Sequence, residues 1–152
     1  MGIDRDRALA LTLAPLTFTV ERGRLRAFAR AIGETDPAYL DVEAAKRAGH
    51  PDLPVPPTFF FSMELEAPDP FGYLAELGVD LHRVLHGEQT FTYHQMAHAG
   101  DTLVLRSHIA DAYSKKGGAL DFLVKTTEIS RCGEPVAESV VTLVVREPEG
   151  SA

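Results

Sequence analysis

Between Thr58 and Leu65 the chain places Phe59, Phe60, Phe61, Met63 and Leu65 on what reads as one short helix. Pro57 or Thr58 can start it, since proline is tolerated in a first helical turn, whereas Pro51, Pro54, Pro56 and Pro57 forbid regular structure just upstream. A helix that is apolar on nearly every side cannot lie with one face in water, so the rest of the chain has to wrap it. The second half supplies the wrapping in four long β-rich runs, over 84–96, 102–113, 120–130 and 136–146. The breaks between them, Ala99 to Asp101, Lys115 to Gly118 and Cys132 to Pro135, are hairpin-type turn sequences. Antiparallel strands in succession after one apolar helix predict an α+β arrangement, a curved sheet closing around that helix.

The first half is mixed. Leu16 to Val20 alternates apolar and polar residues and predicts a short strand. Leu25, Phe28, Ala29 and Ile32 recur at i, i+3, i+4 and i+7 and predict one buried helix face, with Gly33 as the C-terminal stop. A second helix fits Asp41 to Ala48, with Asp41 as N-cap and Gly49 as its end. Tyr73 to Leu77 reads as a further helical turn or two, closed by Gly78. The first several residues, and the tail from about Pro148, read as frayed ends.

Bulk properties exclude several classes. At 152 residues, 45% hydrophobic and 24% charged, the chain is expected to be one soluble domain, with no disulfide or metal needed to hold it. A net charge of -7 argues against a nucleic-acid surface. Cys132 is the single cysteine and sits in a turn, where an incidental thiol is the plainer reading. No basic stretch followed by a long apolar run opens the chain, and Ala8 to Leu16 is too short to span a bilayer. The expectation is therefore no signal peptide, no membrane and a cytoplasmic location. The histidines lack metal-binding spacing, and no phosphate-binding or dinucleotide-binding glycine pattern occurs, so neither metal nor cofactor is expected. His50, in the proline-rich loop, reads as a solvated histidine, and His82, His86 and His94 flank or sit on the first long strand.

Several segments, in order, resemble one family: Asp36 to Asp41, Val55 to Phe59, Val84 to His94, Ala99 to Leu103 and Glu138 to Thr142. Together they resemble the MaoC-like dehydratase and hydratase superfamily of the hot dog fold, in its N-terminal or FAS1-like dehydratase domain branch. The resemblance implies one hot dog domain over 1–152, with a core from about residue 16 to 146. It implies lyase chemistry of fatty acid metabolism, namely addition of water to a 2-enoyl thioester on coenzyme A (CoA) or acyl carrier protein (ACP), or its reverse. It also implies substrate contacts at Pro57, Thr58, Phe59, His86 and Gly87. For His86 and Gln89, a strand-start or interface role is the plainer reading of the residues themselves, and for Phe59 to Phe61 core packing is.

Active members carry Gly-Asp-x-Asn-Pro-x-His, in which Asp and His hold or activate one water. Here the matching residues are Gly33, Glu34, Asp36, Pro37 and Tyr39. The turn-shaping Gly33 and Pro37 are kept, whereas Glu34, Asp36 and Tyr39 replace the Asp, Asn and His. A phenol, with an ordinary pKa of about 10, is a poor base where a neutral imidazole would serve. Glu34, Asp36 and Tyr39 are thus the catalytic candidates of a degenerate loop. The resemblance points to the substrate-holding, non-catalytic subunit of a heterodimeric (R)-hydroxyacyl dehydratase, with a MaoC-like partner carrying Asp and His, or else to a homodimer. Two alternatives stay open: an acyl-CoA-binding protein without turnover, and a hot dog acyl-CoA thioesterase. The thioesterase would need a carboxylate near the central helix. Glu64 and Glu66 lie there, but surface solvation explains both more simply.

Overall fold

The computed structural model describes residues 2–148. Its strands are β1 (Leu16–Thr19), β2 (Val84–Tyr93), β3 (Thr102–Lys115), β4 (Leu120–Arg131) and β5 (Glu134–Arg146). They form one antiparallel sheet in the order β1-β3-β4-β5-β2. Five helices accompany it: α1 (Arg5–Leu9), α2 (Arg22–Ala31), α3 (Val42–Arg47), α4 (Phe59–Glu64) and α5 (Gly72–Glu76). This is the α+β hot dog arrangement, a sheet laid around a short apolar helix.

Local chemistry sets most of the element ends. Helix α2 stops where Gly33 takes φ +75°, with the Glu34 amide donating back to the Ala29 carbonyl at 2.9 Å. Asp41 caps α3 by accepting from the Ala44 amide at 2.9 Å, and Gly49 closes it at φ +96°. The β4–β5 hairpin turns through Cys132 and Gly133, both left-handed at φ +51° and +79°, as a two-residue turn with the twist of its strands demands. Cys132 is exposed at that turn.

One predicted turn is not a hairpin. Strands β2 and β3 do not pair; they lie apart in the sheet, and residues 94–101 cross between them. Ala99 to Asp101 instead dock on the proline-rich loop and the end of β1. The Ala99 amide donates to Leu53 at 2.9 Å, the Gly100 amide to Val20 at 2.8 Å, and the Val20 amide to Asp101 at 2.9 Å. The pairings of β3 decide this: β1 and β4 occupy its two sides, which leaves no side for β2. The N-terminal residues are not frayed either. Ile3 and Ala8 are buried against Ala112 and Leu123, and Arg5 pairs with Asp111 at 3.2 Å. Of the expected loose tail, all but Pro148 lies outside the described residues.

Helix α4 sits on the concave face. Phe59, Phe60 and Met63 are buried with Leu25, Leu53, Leu103 and Ile129. Its wrapping is incomplete, because Leu65 is 43% exposed and Phe61 is half-buried. Ile32, predicted on the buried face of α2, is 53% exposed; it lies past the last helical residue, where the backbone has already turned away. Strand β2 is an edge ten residues long, with Leu85 and Tyr93 each about half exposed. Among the described residues, no helix is long and apolar enough to cross a membrane.

The edge carries a bulge between His86 and Glu88, and Gly87 lies in it. A Cβ at Gly87 would meet Val144 Cγ2 at 2.8 Å and the Thr142 carbonyl oxygen at 3.1 Å. A stiff β-branched side chain and a backbone oxygen cannot both give way, so Gly87→Ala is expected to destabilise the fold by about 1–3 kcal/mol in urea denaturation. A change below about 0.5 kcal/mol would show that the bulge has slack.

Candidate functional site

The degenerate loop leaves α2 at Gly33 and enters a single 3-10 turn over Pro37–Tyr39. Both carboxylates are turned onto the backbone. Glu34 Oε1 accepts from the amides of Thr35 and Asp36, each at 3.0 Å, and Asp36 Oδ1 accepts from the Ala38 amide at 3.0 Å. These contacts shape the turn and engage one oxygen of each carboxylate. Tyr39 is half-buried, and its phenol is held above its ordinary pKa, first by burial and then by the negative charges of Glu34 and Asp36. The substitution that removes an imidazole therefore also sits in surroundings that make the proton-accepting phenolate still scarcer at neutral pH.

The sequence candidates divide between two cavities. Tyr39 and Pro57 line one of about 360 Å³ with Val55, Phe60, Tyr93 and Met96, and the Tyr93 hydroxyl donates to the Pro57 carbonyl at 2.9 Å. Thr58 and His86 line another, of about 440 Å³, with Phe28, Phe61, Gln89 and Phe91. Thr58 precedes α4, but its side chain makes no capping hydrogen bond and its backbone is already helical (φ −87°, ψ −4°). Phe59 is a core residue whose ring meets Phe18 and Phe28 edge-on.

A buried polar cluster lies under α4, at a position the sequence assigns to the surface. Glu64 is no solvated surface residue: its side chain is 8% exposed and faces the sheet. It pairs with Lys125 Nζ at 3.0 Å and accepts from the hydroxyls of Thr127 at 2.7 Å and Ser139 at 3.2 Å. Ser107, Thr127 and Ser139 are direct neighbours across β3, β4 and β5, so one row of hydroxyls runs under the helix. From Ser139 the chain of hydrogen bonds continues to Gln89 at 2.8 Å and on to His86 at 3.2 Å. Tyr73 covers Lys125, whose ammonium lies 5.2 Å from the ring centre, and burial raises the Tyr73 hydroxyl's pKa, with Glu64 adding to it. Glu66, by contrast, is the exposed partner of Arg24.

A signal for this cluster existed in the sequence. Leu123, Lys125, Thr127 and Ile129 alternate onto one face of β4, so a lysine and a threonine fall on an apolar face. His50 is also not simply solvated: its Nδ1 lies 3.0 Å from His98 Nε2, and the two half-buried rings tie the proline-rich loop to residue 98.

The sheet order, the seated helix and the loop after α2 define a hot dog protein of the MaoC-like dehydratase type. The chain belongs to the FAS1-like dehydratase domain family, whose profile matches residues 8–139. A UPF0336 protein of Parafrankia sp. is 44% identical, with 96% of each chain covered. Among solved structures, the HadBC (3R-hydroxyacyl-ACP dehydratase) complex of Mycobacterium tuberculosis has a chain 28% identical, with a TM-score of 0.75 over 88% of this chain and 93% of that one. The ChsH1-ChsH2 complex of the same organism shares the fold at 24% identity and a TM-score of 0.76, covering 96% and 95%.

The surroundings of Tyr39 give a pH test. A raised folded pKa means that the stability it reflects is present below the ordinary value of about 10 and is lost as pH rises through the folded value. Ultraviolet titration of the wild type against Tyr39→Phe is expected to place this phenol above the ordinary value. Ionisation near neutral pH would make Tyr39 a usable base and contradict the disarmed loop.

Proposed function

We propose that this chain is the substrate-holding subunit of an acyl-thioester hydratase or dehydratase, one hot dog domain with its core over about 16–146, working in the cytoplasm beside a MaoC-like subunit that carries Asp and His. The observation that carries this reading is the state of the loop. Its turn is intact, its two carboxylates serve backbone amides, and its phenol is held in the protonated form. Such a loop keeps its shape but lacks the imidazole that would accept a proton at neutral pH.

The family supports the reaction class, and the HadBC and ChsH1-ChsH2 complexes are precedents for paired chains of this fold. Strand β2 offers the matching surface, a long open edge with exposed Leu85 and Tyr93; open edges of this length tend to be covered. In this reading an enoyl or 3-hydroxyacyl thioester, on CoA or ACP, contacts Pro57, Thr58, His86 and the bulge at Gly87, with Phe59 packing beneath. The partner's histidine and aspartate handle the protons. Glu64 does not favour a thioesterase, because a carboxylate held by a lysine and two hydroxyls has no free oxygen aimed at a water.

Assays of 2-enoyl-CoA hydration test the proposal. The chain alone is expected to be at least about a hundredfold slower than the chain mixed with a MaoC-like subunit bearing the intact signature, the scale of a missing general base. Full activity of the chain alone would overturn the half-site reading. Binding of acyl-CoA with no gain from any such partner would favour a binding protein without turnover.

A further inference from the structure

Three cavities run in series along α4. The outer one holds Thr58 at its rim and shares Phe61 and His86 with a second chamber of about 220 Å³. That chamber is walled by apolar side chains, among them Leu65, Phe71, Val84 and Leu143. At its far end it shares Glu64, Tyr73 and Lys125 with a third cavity of about 400 Å³ under Pro70 and Asp69. From Thr58 to Glu64 the helix rises about 9 Å, the reach of roughly seven carbons of an extended chain. The Phe61 and His86 rings meet edge-on, with centres 5.4 Å apart, and partition the outer cavity from the chamber; with the exposed His86 ring swung aside, a tail entering at Thr58 arrives at the ion pair.

We propose that Lys125, held by Glu64, is the recognition group at the floor of an acyl chamber, and that the preferred acyl thioester carries a hydroxyl or carbonyl oxygen toward the distal end of its chain. Glu64 is fully engaged by Lys125, Thr127 and Ser139. The Lys125 ammonium has three donors, and among the described residues Glu64 is its hydrogen-bonding partner, while the Tyr73 ring covers one side. Lys125 thus lines a mostly apolar chamber with donors to spare. A hydrocarbon tail would strip water from this ammonium and return nothing, whereas an oxygen would accept a charge-assisted hydrogen bond. A pair that served only to pin α4 would be walled in by protein on all sides; this one separates two cavities.

This inference rests on the acyl-thioester reading, and calorimetry on the full chain separates the two. Octanoyl-CoA and ω-hydroxyoctanoyl-CoA are compared, along with the unsubstituted six- to twelve-carbon acyl-CoAs. The hydroxylated compound is expected to bind at least about tenfold more tightly, as one charge-assisted hydrogen bond gives. Replacing the pair together, with Glu64→Gln and Lys125→Met, should bring the ratio to about one. Leu81→Trp keeps the pair and fills the chamber from its half-exposed wall, so it should also erase the preference. Equal affinities in the wild type overturn the inference while leaving acyl binding intact. So does a preference that survives both variants, including a double variant that only lowers the melting temperature, the mark of a purely structural pair. Failure to bind any acyl-CoA overturns the acyl-thioester reading itself and this inference with it.

Discussion

The seating of α4 on the sheet is the constraint on which the rest depends. Six residues are too few to be helical on their own in water, so the helix exists only because Phe59, Phe60 and Met63 are buried. Each such side chain contributes on the order of 1.5–3 kcal/mol by leaving water. The proline-rich approach fixes where that helix starts. Leu53 and Val55 bond to the crossing segment at Ala99 and Ala97, and the His50–His98 contact closes the same seam. The crossing of β2 to the far edge, the loop after α2 and the cavities along the helix all take their positions from this one packing event.

Polar groups at that interface are few and tightly satisfied. Burying Glu64 and Lys125 costs several kcal/mol per ion, and mutual pairing offsets it only because hydroxyls from β4 and β5 complete the carboxylate's shell. Removing one partner would leave a charge stranded, whereas neutralising both need not. The degenerate loop shows the opposite economy of function: its carboxylates are exposed or half-exposed and serve only their own backbone amides.

How much of this was legible in the sequence follows from range. Helix ends were readable because caps and left-handed glycines act within a few residues: Asp41, Gly33, Gly49 and Gly78 all terminate elements as expected. Strand existence was readable from alternation. Strand order was not, because whether Ala99 to Asp101 forms a hairpin depends on β1 and β4 occupying both sides of β3, and the pairing with β1 is a contact far away in sequence. Glu64 was misread for a related reason. On a short helix next to Leu65 and Glu66 it looks like surface, and only the register of Thr127 against Ser139 shows that three polar side chains meet beneath it. The loop substitutions were visible as residues, but the backbone hydrogen bonds that engage Glu34 and Asp36 could be seen only in three dimensions.

The account's central claim is that the proton chemistry belongs to a partner and the substrate surface to this chain. The direct test is the initial rate of 2-enoyl-CoA hydration by the reconstituted complex, carrying either Glu34→Gln, Asp36→Asn and Tyr39→Phe in this chain or a replaced signature histidine in the partner. The amide variants keep the turn's acceptors while removing the charges and the phenol. The account predicts that the triple variant stays within about threefold of the wild-type rate, and that loss of the partner's histidine lowers it by about a hundredfold or more. A collapse of the rate in the triple variant, with the partner's histidine dispensable, would contradict it.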